Sequence, residues 1–181
     1  HADVFGGAVM SRDKRVAQDI IDCGDDWGIS LGPDDAYTAL RGLRSLKTRM
    51  DAHEAAGLRI ANWLSERPEV SQVLHPALEQ HPDHAIWRRD FSGANGLFSV
   101  ILNAVSPEGL KRFFDALELF SMGFSWGGFE SLIIPCDPQL KRSKGHWIDQ
   151  KVGPLLRIHV GLETVDDLIA DLRAGFEAMG E

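Results

Sequence analysis

The run Leu155-Leu156-Arg157-Ile158-His159-Val160 sets an arginine inside an otherwise apolar segment. The run is short and rich in residues that suit a strand. Side chains alternate along a strand, so Leu155, Arg157 and His159 share one face and Leu156, Ile158 and Val160 the other. The second set is predicted to be core. The first must face something that satisfies a guanidinium, because burying that charge unpaired is costly. Two partners fit: an internal carboxylate such as Glu130, or an external carboxylate or phosphate gripped by two parallel hydrogen bonds. Spacing alone does not choose between them.

A second stretch, Phe120 to Pro135, packs bulky apolar residues around Gly123, Gly127 and Gly128. Glycines directly after Trp126 allow a sharp turn or a close approach to the backbone. The plain reading is a tight turn between two buried strands. The functional reading is that Ser125 and the backbone at Trp126-Gly127-Gly128 donate hydrogen bonds to the anion that Arg157 holds.

The 181 residues are 44% hydrophobic and 25% charged, as in an ordinary globular protein. A net charge of −8 and the lack of a basic stripe argue against nucleic acid as a partner. No apolar run reaches the length of a membrane span, and no segment has the build of a signal peptide. Cys23 and Cys136, the only cysteines, suit a reduced, cytoplasmic protein and a structural role for Cys136. His75, His81 and His84 lie in a proline-broken loop without the spacing of a metal site, as do His1 and Asp3, so no metal is expected. Lys141, Arg142, Lys144 and Lys151 read as a solvated loop.

In chain order, residues 4–10 read as a buried strand, and Ser11-Arg12-Asp13 starts a helix to about Asp22, with Val16, Ile20 and Ile21 facing inward. Cys23-Gly24-Asp25-Asp26-Trp27-Gly28 breaks it. Pro33-Asp34-Asp35 starts a very long helix, over 34–67, that would span roughly 50 Å and stops at Pro68; Gly57 is a candidate bend. Strands are predicted at Val70 to Leu74, Gly96 to Leu102 (apolar on both faces, hence central) and Leu155 to Val160. A short helix fits Ala85 to Phe91. Ser106-Pro107-Glu108 caps a helix carrying Phe113, and Thr164 with Asp167 leads a final helix carrying Leu168, Leu172 and Phe176. The chain opens at His1 on a segment that reads as a strand under way, which predicts that it is the C-terminal part of something longer. The expected fold is an α/β fragment followed by an α+β domain: the end of a large domain (1–33), a connecting helix (34–67) and a small C-terminal domain (68–181) with a mainly antiparallel sheet covered by helices on one face.

Ser125-Trp126-Gly127-Gly128-Phe129-Glu130-Ser131-Leu132, followed by Arg157-Ile158-His159-Val160-Gly161-Leu162-Glu163, closely resembles the C-terminal half of the carbon–sulfur β-lyases in the Cys/Met metabolism family of pyridoxal-phosphate (PLP)-dependent, fold-type I enzymes. His1-Ala2-Asp3, Arg41 to Arg49, Arg89 to Gly93 and Gly96 to Ser99 extend the resemblance over essentially the whole chain. Trp126, where γ-acting members usually show Leu, favours a β-lyase over a γ-lyase, γ-synthase or sulfhydrylase. The resemblance implies that Arg157 holds the substrate α-carboxylate, that Ser125 and the Trp126 N–H orient it, and that cystathionine and water yield homocysteine, pyruvate and ammonia. It implies a PLP cofactor, a sulfur amino-acid substrate and a homo-oligomer, a tetramer built from dimers. The Schiff-base lysine would lie about five residues before His1 by the family's motif spacing, so no catalytic residue is assigned within the chain. The chain alone is expected neither to hold PLP nor to turn over substrate. A different class, a non-catalytic binding domain whose arginine meets only Glu130, is the alternative.

Overall fold

In the computed structural model, residues 1–141 and 152–180 are described. Arg142, Lys144 and Lys151 lie outside them; Lys141, at their edge, is exposed. The chain divides into two units, His1–Lys47 and Thr48–Glu181.

The first unit holds α1 (Lys14–Trp27) and α2 (Pro33–Arg44). Asp13 caps α1 by accepting the N–H groups of Arg15 and Val16. The helix does not break at Cys23-Gly24. It continues to Trp27, and Gly28 ends it in the left-handed region at φ 65°, where glycine carries no Cβ penalty. Val16, Ile20 and Ile21 do not face inward; they are 45%, 38% and 55% exposed. Neither helix buries any residue, because this unit has no second layer on which an apolar face can pack. Residues 4–10 form no strand, and Phe5, Val9 and Met10 are exposed. Among the described residues nothing pairs with this segment, and an extended run without a ladder cannot satisfy its backbone groups as a strand does. At its start, Asp3 forms an ion pair with Arg41 of α2.

The predicted single helix over 34–67 is two helices. Ser45 leaves helical geometry at φ −106°, ψ 3°, and its hydroxyl donates to the Gly42 carbonyl at 3.3 Å. This is the competition for backbone groups that makes serine a poor interior helix residue. The second helix, α3 (Leu46–Ser65), then runs without interruption. Gly57 does not bend it. A Cβ there would stand 2.9 Å from the Asn95 carbonyl oxygen and 3.1 Å from Gly96 Cα, so the missing side chain lets α3 approach residues 95–96.

The second unit continues with β1 (Val70–Leu74), α4 (His84–Asp90), β2 (Leu97–Leu102), α5 (Pro107–Asp115), β3 (Leu132–Pro135), a 3₁₀ turn (Asp137–Gln139), β4 (Leu155–His159) and α6 (Val165–Gly180). The strands form one antiparallel sheet in the order β1-β2-β4-β3. β2 and β4 are its central strands; the apolar character of β2 predicts this for β2. Ser106 accepts the Gly109 N–H and starts α5 with Pro107 in the first turn.

Alternation along β4 sorts the sheet. Leu156, Ile158 and Val160 join Phe98, Val100, Leu102 and Ile133 in one core with Ile60 and Leu64 of α3, Phe113 of α5, and Leu168, Leu172 and Phe176 of α6. Helices therefore cover this face, and burying each large side chain contributes about 1.5–3 kcal/mol. Arg157 and His159 stand on the opposite face. No helix among the described residues is long and apolar enough to cross a membrane.

Candidate functional site

The site is a loop, residues 116–131, laid across the end of β4. Phe120 to Pro135 is not a tight hairpin. β3 begins only at Leu132, and upstream the chain makes a single parallel bridge, Ser121 to Leu132. The intervening backbone has no ladder, so side chains hold it at separate points.

The first point is Asp171 of α6. Its carboxylate accepts the N–H groups of Glu118 (2.7 Å), Leu119 (3.0 Å) and Phe120 (2.9 Å). An ionised acceptor meeting three backbone donors forms bonds stronger than neutral pairs. The second point is Glu163, just after β4, which accepts the Ser131 N–H and hydroxyl, each at 2.8 Å. The Ser131 oxygen in turn accepts the Gly161 N–H at 2.8 Å.

Between these points two side chains on the same face of β4 meet the loop. Arg157 Nη2 faces the carbonyl oxygens of Gly123 (3.2 Å), Phe124 (2.8 Å) and Ser125 (3.3 Å). The internal partner weighed from the sequence, Glu130, is not found there. Glu130 is exposed and makes no ion pair with the arginine among the described residues. Carbonyls satisfy N–H groups but carry no charge, so among the described residues the guanidinium is hydrogen-bonded and not neutralised. Nε and Nη1 meet no acceptor among the described residues. The two longer contacts on Nη2 are weak enough to yield to an ionised oxygen.

Ser125 thus lies beside Arg157 through its carbonyl, and Trp126 follows, 59% exposed, with Phe124 and Phe129 also exposed. Gly127 has φ 81°, a conformation a side chain would strain, which turns the loop back toward the sheet. Its N–H points at the His159 ring, 3.1 Å from Nε2 and 3.4 Å from Nδ1, while Nε2 is 3.1 Å from the Gly128 carbonyl. His159 is only 2% exposed. Burial, foremost, holds its pKa below the usual 6.5, with the neighbouring His53 and Arg157 acting the same way and the Gly128 carbonyl and Glu163 opposing.

Cys136, at the end of β3, keeps its proton because burial raises its thiol pKa, against the opposing pull of Arg157. In the other histidine stretch the rings bond local backbone. His75 and His81 accept the N–H groups of Ala77 and Asp83, and His84 Nδ1 lies 3.1 Å from the Pro76 carbonyl.

The sequence put Arg157, Ser125 and Trp126 in one place, and the geometry brings them together. It did not single out His159, Asp171 or Glu163. Asp171 carried a signal: an acid on the buried face of a helix, beside Leu168 and Leu172, needs internal donors. Glu163 carried none.

Among the described residues, neither the loop nor β4 carries a lysine that could hold PLP. Lys111 is paired with Asp115 on α5, the helix packed against the core face of the sheet, and no lysine stands in the loop that Arg157 holds. What the loop and β4 offer is an uncompensated cation edged by backbone, which suits the carboxylate end of an amino acid.

The Cys/Met metabolism PLP-dependent enzyme family matches residues 1–177. A cystathionine beta-lyase from Haemophilus influenzae is 41% identical over 98% of this chain and 45% of its own length. An L-alanine/L-glutamate racemase from Wolbachia pipientis is 37% identical over 96% of this chain and 43% of its own. The crystal structure of a cystathionine gamma synthase from Xanthomonas oryzae, in complex with aminoacrylate and cysteine, superposes with a TM-score of 0.88 at 33% identity, covering 99% of this chain and 47% of that one. The chain thus spans about half the length of the relatives it matches. With a match across nearly all of its residues, the chain belongs to the Cys/Met metabolism family of PLP-dependent enzymes.

Proposed function

We propose that the complete protein is a carbon–sulfur β-lyase that converts cystathionine and water to homocysteine, pyruvate and ammonia, and that this chain grips the substrate α-carboxylate. The observation that carries the reading is Arg157, whose Nη2 is fixed by neutral carbonyls while its charge stays unmatched. A carboxylate supplies the missing charge and two oxygens for a planar fork. Ser125 and the Trp126 N–H orient that carboxylate from the adjoining backbone. Holding the amino acid at this end fixes which bond at Cα lies in line for reaction. PLP, when bound, supplies the electron sink. The Schiff-base lysine is assigned to a segment before His1, and the 181 residues alone are proposed to be inactive. A cytoplasmic tetramer built from dimers is part of the same proposal.

Arg157→Ala in the complete, PLP-bound protein tests it. The loss in kcat/KM for cystathionine should reach about 2–5 kcal/mol of transition-state binding. Turnover close to the parent's would reject the carboxylate role. The similarity to a gamma synthase and to a racemase keeps other reactions of the same clamp in view. Pyruvate as product supports the β-lyase; 2-oxobutyrate, or inversion of alanine without pyruvate, assigns the protein to another branch.

A further inference from the structure

Two residues apart on β4, Arg157 and His159 each hold a part of one loop: Arg157 takes the carbonyls of residues 123–125, and His159 takes the peptide groups of Gly127 and Gly128. The backbone between these two grips is Ser125-Trp126. We propose that His159 is a positioning residue, whose neutral ring holds the Gly127-Gly128 backbone so that Ser125 and Trp126 are presented to the carboxylate bound at Arg157, and whose protonation releases them. This rests on the carboxylate reading and adds a regulator to the same site.

The chemistry of the ring carries the argument. A neutral imidazole has one donor and one acceptor. With the proton on Nε2, that nitrogen donates to the Gly128 carbonyl at 3.1 Å, and the Gly127 N–H, 3.1 Å from Nε2 and 3.4 Å from Nδ1, has Nδ1 as its acceptor. An imidazolium has two donors and no acceptor, so the Gly127 N–H would then face a nitrogen that cannot receive it. The ring is buried, so water cannot take over the lost bond. Gly127, at φ 81°, has no side chain to hold the loop in its place.

The surroundings also oppose a charged ring. From α3, His53 stacks at 5.4 Å between centroids; its Nδ1 meets the Val160 carbonyl at 2.8 Å, and its Nε2 is buried without a partner among the described residues. From β4 itself comes Arg157. Glu163, beyond the strand, is the acid that faces the ring, and Ser131 already engages its carboxylate. The cross-strand neighbours of His159, Leu97 and Leu132, are apolar. Glu130, on the loop, is exposed.

The test uses the complete PLP-bound protein and the parent, Arg157→Ala, His159→Leu and His159→Gln forms. L-Alanine is the carboxylate probe, titrated calorimetrically from about pH 5.5 to 8.5, the range in which histidine changes charge. A glutamine amide carries both an acceptor and a donor near the place of Nε2 and does not titrate. At the alkaline end His159→Leu should weaken alanine up to about tenfold, the worth of one lost hydrogen bond, and His159→Gln should restore most of it. Toward acid the parent should lose affinity more steeply than His159→Gln. Hydrogen exchange gives a second readout: relative to the intrinsic rate at each pH, the Gly127 amide should be less protected in His159→Leu throughout, and in the parent only toward acid. If His159→Leu does not fold, the parent and His159→Gln profiles decide alone. Parallel acid limbs in those two forms, with a Gly127 protection factor that does not change with pH, would overturn the proposal. An Arg157→Ala form that binds alanine as the parent does would instead sink the carboxylate reading, and Gly127 exchange would still report whether His159 holds the loop.

Discussion

Asp171 shows how one side chain can fix a loop that has no secondary structure of its own. Its carboxylate is the shared acceptor for three consecutive N–H groups, Glu118 to Phe120. In Asp171→Asn one oxygen becomes an NH2 that confronts those donors. The change should cost about 1.5–3 kcal/mol, the worth of hydrogen bonds to a charged group, read as a lower urea midpoint at unchanged slope. A loss within error would mean the carboxylate is dispensable. The thiols make a second prediction at this scale. Cys23 is exposed, whereas burial holds Cys136 protonated. Because the thiolate is the nucleophile, iodoacetamide at neutral pH should label Cys23 well before Cys136, with mass spectrometry locating the adduct. Preferential labelling of Cys136 would contradict its inert, structural reading.

Among the elements, those with short-range signals formed where the residues said they would. Ser106 caps α5 at the predicted place, and Ser106→Ala should destabilise the unit by about 1 kcal/mol, as for other lost N-caps. The elements that differ did so because a neighbour was needed. Residues 4–10 have strand composition and nothing to pair with; α1 has an apolar stripe and nothing to bury it. Gly57 reads as a bend by composition but is a contact between α3 and residues 95–96. Gly57→Ala should therefore cost more than the alanine's helix propensity returns, about 1–3 kcal/mol net by overpacking, measured by urea unfolding. A stabilised variant would show that the two segments can separate freely.

For the molecule as a whole, two buried histidines should contribute to the acid limit of stability. His75 and His159 both have lowered pKa values, with burial the leading cause in each. The unfolded chain, at the ordinary value near 6.5, therefore binds more protons than the folded chain below that pH. The stability that neutral rings provide is fully present above about pH 6.5 and is lost as pH falls through the lower folded values. Urea midpoints should be flat above about pH 7 and decline toward pH 5, and replacing either histidine with glutamine should shallow that decline. The exposed Arg89–Asp90 pair should not contribute to it.

Sequence by itself determined the alternating strands, the helix cap at Ser106, the core stripe of the last helix and the two segments that form the candidate site. These are local patterns of polarity and backbone preference, readable within a few residues. The tertiary structure decided the strand order β1-β2-β4-β3, the break at Ser45 and the partner of Arg157. It also decided that Asp171 and His159 hold a loop 51 and 32 residues distant in sequence. Charge matching left Arg157 between Glu130 and an external anion. Among the described residues the folded chain meets Arg157 with carbonyls, because a loop held on both sides brings its backbone against the guanidinium.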